Sequence, residues 1–142
     1  MARVIEVPGW KRPRGYSNGI AVRGELLFIA GQVWWDGAER MVSDAFVPQF
    51  GRALENVRAV LEAAGGKPEH LARVTVYVTD KDVYEREAAS VGQEWRRVLG
   101  RIYPAMTLVE VSRLLERGAL VEVEATAVIP EAAHAALFPS KC

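Results

Sequence analysis

Cysteine is almost missing from this chain. The one present, Cys142, is the last of 142 residues, so it has no internal disulfide partner. A terminal thiol is seldom held firmly enough for catalysis, and it reads as an incidental exposed thiol. Histidine is nearly as scarce. His70 and His134 have no cysteine or carboxylate at metal-ligand spacing, which argues against a zinc site and against a Ser/His/Asp triad, and no metal is expected. Excess charge is missing too: Lys+Arg and Asp+Glu number 18 each. No net field therefore gathers nucleic acid or an anionic membrane, and neither is expected as a partner. No apolar run approaches the ~20 residues of a membrane span. The first eight residues, Met1 to Pro8, lack the apolar core of a signal peptide, so the expected location is the cytoplasm.

What remains is ordinary globular composition, 50% hydrophobic and 25% charged, which excludes a disordered chain. The length fits a single domain over 1–142, with an irregular arm at 1–14, rich in Pro, Gly and Arg, and a tail at 131–142. Apolar runs at 20–22 and 26–30, separated by Arg23-Gly24-Glu25, read as a hairpin, and 31–35 continues into a further short strand that Asp36-Gly37 turns. Phe46, Phe50, Ala53, Leu54, Val57, Val60, Leu61 and Ala64 recur at three- and four-residue spacing, which marks an amphipathic helix. Pro48 must lie in its first turn, having no N–H to donate, and Gly65-Gly66 with Pro68 stops it.

Residues 73–79 then alternate, with Val74, Val76 and Val78 on one side and Arg73, Thr75, Tyr77 and Thr79 on the other. A second helix runs from about Asp82, carrying Tyr84, Ala88, Val91, Trp95 and Val98 on one stripe, and Gly100 ends it. Strands at 104–111 and 120–128, joined by the polar segment 112–118, complete the order β-β-β-α-β-α-β-β. This predicts an α+β fold with one mixed sheet and two helices on one face. Strand 120–128 places Val121, Val123, Ala125 and Ala127 on one side and Leu120, Glu122, Glu124, Thr126 and Val128 on the other. The second side is either solvated or an oligomer interface enclosing a polar pocket.

Strands 104–111 and 120–128 are expected to line that polar cleft. Glu122 and Glu124 share a side, ~7 Å apart. Paired carboxylates can divide acid and base roles, because repulsion and desolvation raise at least one pKa; the same pattern also suits a solvated strand edge. Tyr16 and Ser17 follow Gly15 in the arm, and Gly31 sits where backbone can approach a ligand closely. Adjacent Trp34 and Trp35 point their rings to opposite sides, so they make no stacking platform; one belongs to the core and the other to the surface or an interface. Arg86, Arg96 and Arg97 fall on the polar side of the second helix, a solvated face rather than a nucleic-acid patch.

Taken together, ordered blocks carry a resemblance. Gly15-Tyr16-Ser17-Asn18, Leu27-Phe28-Ile29-Ala30-Gly31-Gln32, Leu54-Glu55-Asn56-Val57, Val74-Thr75-Val76-Tyr77-Val78-Thr79-Asp80, Tyr103-Pro104-Ala105 and Val121-Glu122-Val123-Glu124-Ala125 resemble the Rid family, also called YjgF-type or endoribonuclease L-PSP proteins. The likeness spans about residues 15–130. It implies a chorismate-mutase-like fold, a homotrimer with clefts at the subunit interfaces, and cofactor-free hydrolysis of enamines and imines to 2-oxo acids and ammonia. It also implies an arginine two residues after the proline of the Pro-Ala block, clamping the substrate carboxylate. Here that residue is Met106, which cannot pair with a carboxylate. An asparagine common near position 88 is also absent, the chain offering Glu87 and Ala88.

The family site that remains is Glu122 as the water-activating carboxylate, with Tyr16, the backbone of Gly31, Met106 and the backbone around Leu108 forming the substrate wall. Arg12, Arg14 and Arg23 are the alternative sources of a cation. The resemblance thus implies an enamine or imine deaminase with an atypical small-molecule substrate, 2-aminomuconate-like compounds among the candidates. The alternative is a non-catalytic trimer that binds a small metabolite or acts in regulation. Ribonuclease activity, suggested by the family's other name, is opposed by the neutral charge balance and the lack of a catalytic histidine.

Overall fold

The computed structural model describes residues 2–36, 38, 40 and 43–131. Cys142, His134 and the tail beyond Glu131 lie outside the described residues, as does Gly37 of the expected turn. A four-stranded mixed sheet is built from β3 (Glu25–Gln32), β4 (Leu71–Val78), β5 (Ala105–Glu110) and β6 (Val121–Ile129). Its order is β3-β6-β4-β5, antiparallel at β3–β6 and β6–β4 and parallel at β4–β5. A parallel pair needs a long crossover, and the helices α2 (Lys81–Arg86) and α3 (Ala88–Leu99) supply it. The longer helix α1 (Phe46–Ala63) packs beside α3 on the same face.

That face holds the core. Leu54, Val57 and Leu61 of α1 meet Val74, Val76 and Val78 of β4 and Val121, Val123 and Ala127 of β6, and none of these is more than 1% exposed. The three- and four-residue spacing of the helix and the period-two alternation of the strands thus turn toward one another, as expected. Pro48 lies in the first turn of α1, and Gly65, at φ 84°, ends the helix while the Gly66 N–H returns to the Leu61 carbonyl at 2.9 Å.

Four sequence expectations are corrected. Residues 20–30 do not form a hairpin. The strand β2 (Gly19–Ala21) pairs with β1 (Arg3–Ile5) in a separate two-stranded ribbon, whereas among the described residues β3 pairs with β6 alone. Gly24 serves a close approach instead: a Cβ there would run into the Ile129 backbone at the end of β6. The arm is accordingly not wholly irregular, since its first residues are a strand whose partner lies far along the chain.

No strand forms at 33–35. The Asn56 Nδ2 donates to the carbonyls of Val33 and Trp35 at 3.0 and 2.9 Å, and the Arg52 Nε donates to Trp35 at 3.1 Å, so side chains of α1 take acceptors a sheet would use. Trp34 is buried beside Val33 and Ala119, and Trp35 packs partly against the same cluster. The expected second helix is two helices, broken at Glu87 (φ −97°, ψ 15°). Asp80 caps α2 through the N–H groups of Asp82 and Val83, yet α2 buries no residue, while Val91, Trp95, Val98 and Leu99 anchor α3.

One further contact ties the sheet to α1. Gln49, fully buried, donates to the carbonyls of Ser43 (3.1 Å) and Gly118 (2.8 Å) and accepts from the Leu120 N–H (2.7 Å). It fixes where the chain enters β6, and so where Glu122 falls.

Candidate active site

Glu122 stands on the face of β6 away from the helices, beside a bulge in β3. The β3–β6 register runs from Ile29↔Ala125 to Gln32↔Val123, three steps on one strand against two on the other. The extra residue turns Gly31 toward β6. A Cβ on Gly31 would lie 2.7 Å from the Glu122 Cδ, closer than real contacts allow, so the carboxylate rests on bare backbone.

The two strand carboxylates, alike in the sequence, are unlike in their surroundings. The register sets Tyr77 of β4 opposite Glu122 and Thr75 opposite Glu124. The Tyr77 hydroxyl donates to the Glu124 Oε1 at 2.6 Å, and this bond holds the phenol's pKa above its usual value. Glu122 has no hydrogen-bond partner among the described residues. Partial burial raises its pKa, and the charges of Glu124 and Glu116 add to the effect. One carboxylate is occupied; the other is available to accept and return a proton.

Beside them the open face of the sheet has a concavity of about 470 Å³, walled by Phe28, Arg73, Tyr77, Thr107, Glu124 and Thr126. Arg73, Tyr77 and Thr107 were not singled out as site residues in the sequence. Their alternation places them opposite the core valines, but only the β4–β6 and β4–β5 registers put them beside the carboxylates.

Met106 and Leu108 are elsewhere. Both lie on β5 with side chains packed against the core on the helix-covered face. The strands 104–111 and 120–128 therefore do not line one cleft within a chain, because β4 runs between them. Through Val74, Met106 is level with Ala125, three residues from Glu122. Two strand spacings and three rises make a separation of ~14 Å, across the thickness of the sheet. Tyr16 lies in the arm, one residue from its fastening to β5. The next residue, Ser17, bridges to Ala105 in parallel, its N–H reaches the Pro104 carbonyl at 3.0 Å, and its Oγ donates to the Tyr103 carbonyl at 2.5 Å. The structure thus gathers Gly31 with Glu122 on the open face and sets Met106 and Leu108 against the core on the covered face, while Tyr16 stands exposed in the arm beside the start of β5.

His70 is structural: its Nδ1 accepts from the Lys67 N–H at 3.0 Å and closes the 3-10 turn Pro68–His70. Among the described residues there is no cluster of three or more His, Cys, Asp or Glu able to hold a metal ion, and no helix is long and apolar enough to cross a membrane.

The family model described as endoribonuclease L-PSP matches residues 11–129, well over half of the chain. The chain belongs to the Rid (YjgF, endoribonuclease L-PSP) family. Its Rid relatives include a RutC family protein of Pyrococcus horikoshii, 36% identical over 89% of this chain and 98% of that one. A Salmonella typhimurium protein named 2-iminobutanoate/2-iminopropanoate deaminase is 31% identical over 80% of this chain and 86% of its own length. Among solved structures, a Rid protein of unknown function from Yersinia pestis superposes with a TM-score of 0.80, at 29% identity, over 90% of this chain and 98% of that one. The mixed sheet with its helices on one face is the fold of this α+β family.

Proposed function

We propose that this Rid protein is a cofactor-independent enamine and imine hydrolase that works in the cytoplasm as a homotrimer, with a substrate unlike the usual small 2-imino acids. The observation that carries the reading is Glu122: a half-buried carboxylate with raised proton affinity, no hydrogen-bond partner among the described residues, and the flat backbone of Gly31 behind it. In the reaction a water adds to the C=N carbon while Glu122 takes its proton. Glu122 returns that proton to the nitrogen to give a carbinolamine; the hydroxyl proton then passes through Glu122 to the nitrogen, which leaves as ammonia as the carbon becomes a carbonyl. One water is consumed and one ammonia released, with no redox change.

Glu122 and the Met106–Leu108 pair lie on opposite faces of the sheet, and we assign the complete cleft, with Tyr16 of the arm, to the junction of two protomers. Leu26 and Phe28, 60% and 74% exposed on the open face of β3, offer the apolar surface such a junction covers. Methionine in place of the arginine clamp suits a larger or differently charged substrate, with 2-aminomuconate-like compounds among the candidates. The test is ammonia release from enzymatically generated 2-aminoacrylate and 2-aminomuconate. Glu122→Gln is expected to lower the rate at least ~100-fold. Equal rates for the two proteins, or none above buffer, would sink the reading. The second reading, a non-catalytic trimer that binds a metabolite, is favoured by the burial of Met106 in core packing. It predicts thermal stabilisation by ligand without turnover, and steady product formation removes it.

A further inference from the structure

We propose that the N-terminal arm is a binding pocket for a carboxylate borne on a planar ring or conjugated chain, with Arg12 and Arg14 holding the anion and Trp10, Tyr16 and Tyr103 forming the stacking wall. As the source of the cation that Met106 lacks, it deepens the deaminase reading and in that role rests on it; as a binding site it stands alone.

The arm curves around an open concavity of about 1000 Å³ lined by residues 4 to 18 and Tyr103, at the upper end of the size that small-molecule sites span. Its neck is closed twice. Ile5 pairs with Gly19, and Ser17 is fastened to Tyr103, Pro104 and Ala105. Pro8 and Pro13 stiffen the segment between. A loop shaped in advance in this way loses little conformational entropy when a ligand enters.

The charge in this concavity is one-sided although the chain as a whole is neutral. Lys11, Arg12 and Arg14 line it against a single carboxylate, Glu6, and among the described residues none of the three cations makes an ion pair. Guanidinium groups match a carboxylate through two parallel N–H donors and also stack on aromatic faces. Trp10, Tyr16 and Tyr103, at 65%, 40% and 48% exposed, are large apolar surfaces left open in the lining of the same concavity. Cations together with open aromatic rings select an anion that is also flat. Position supports the same assignment: Ser17 pairs with Ala105, so the pocket abuts the residue preceding Met106.

Arg73 is the competing cation, on the open face of the sheet. Calorimetric titration of the full chain with benzoate, benzamide and cyclohexanecarboxylate separates charge from planarity. Benzoate is expected to bind, benzamide about tenfold or more weaker, and cyclohexanecarboxylate weaker by a factor of several. Arg12→Gln/Arg14→Gln is expected to weaken benzoate about tenfold or more with an unchanged melting temperature, since both side chains are exposed. Arg12→Lys/Arg14→Lys, which keeps the charge and loses the fork, falls between. Arg73→Gln and Glu122→Gln bind like wild type. No benzoate binding at millimolar concentration, equal binding of benzamide, or full affinity in the double glutamine variant each overturns the proposal. Loss of benzoate binding in Arg73→Gln alone moves the anion to the open face and overturns it as well. Because nothing is turned over, an inactive enzyme that still binds benzoate leaves the pocket standing and removes only the deaminase reading.

Discussion

On the helix-covered side of the sheet, β6 contributes Val121, Val123, Ala125 and Ala127, each at most 6% exposed. On the open side the same strand contributes Glu122, Glu124 and Thr126, with Phe28 of β3 exposed beside them. Alternation along one strand therefore separates two tasks. The covered side carries the apolar burial that holds the chain together, and its residues are constrained by volume. The open side contributes little to that packing, so a desolvated carboxylate, a bonded tyrosine–glutamate pair and an arginine can stand there without disturbing the core. Met106 lies on the covered side of β5, packed against the core, while Glu122 on the open side of β6 is partly desolvated and has no hydrogen-bond partner among the described residues.

The comparison breaks most visibly in the core. Leu54→Ala is expected to destabilise the chain by about 2–5 kcal/mol in denaturant unfolding, whereas Thr75→Ala on the open side should change it by less than ~0.5 kcal/mol. Equal losses would show that both faces carry the fold. Next in size is Gln49→Leu, which removes the partners of two carbonyls and one N–H. About 1–3 kcal/mol per orphaned group is at stake, and chemical shifts around Glu122 should move with the entry of β6.

A smaller and sharper effect is expected from Gly31→Ala. The added methyl displaces the Glu122 carboxylate, so deamination should fall by about tenfold while stability changes little, since the obstructing atoms belong to a flexible side chain. A fall in stability without a fall in rate would place Gly31 in the fold rather than the site.

The smallest effect is in pH. Glu122 has a raised pKa in the folded chain, so between its unfolded and folded values the native state binds more protons than the unfolded state. Its contribution to stability is therefore full below the unfolded value and is lost as pH rises through the folded one. Wild type measured against Glu122→Gln in mildly acidic buffers should lose relative stability as pH climbs. The opposite slope would mean that the carboxylate is stabilised in its charged form.

The elements that local rules govern were legible in the chain. The helix at Phe46–Ala63, the alternation of Arg73–Val78 and the strand around Glu122 follow from three- to four-residue and two-residue periodicities, because each depends on neighbours within a turn or a pleat. Glu122, Gly31, Tyr16, Met106 and Leu108 stand out in the sequence through the ordered blocks and the strand pattern. The ribbon of Arg3–Ile5 with Gly19–Ala21, and the separation of Gly31 and Glu122 from Met106 and Leu108 across the sheet, do not.

The sequence by itself determined the apolar stripe of α1 and the buried faces of β4 and β6, since hydrophobic periodicity is written one residue at a time. It also determined that two carboxylates share a side of one strand and that the Pro-Ala block ends in methionine. Tertiary structure alone decided that β4 runs between the strands of Met106 and Glu122, that Tyr77 takes Glu124 and leaves Glu122 open, and that the arm curves around a concavity beside Ala105. The reason is physical. Strand order and register are set by pairings between residues tens of positions apart, and many orders bury the same apolar surface almost equally well. Only the packed chain, with Gln49 fixing the entry of β6 and a bulge turning Gly31 inward, selects one.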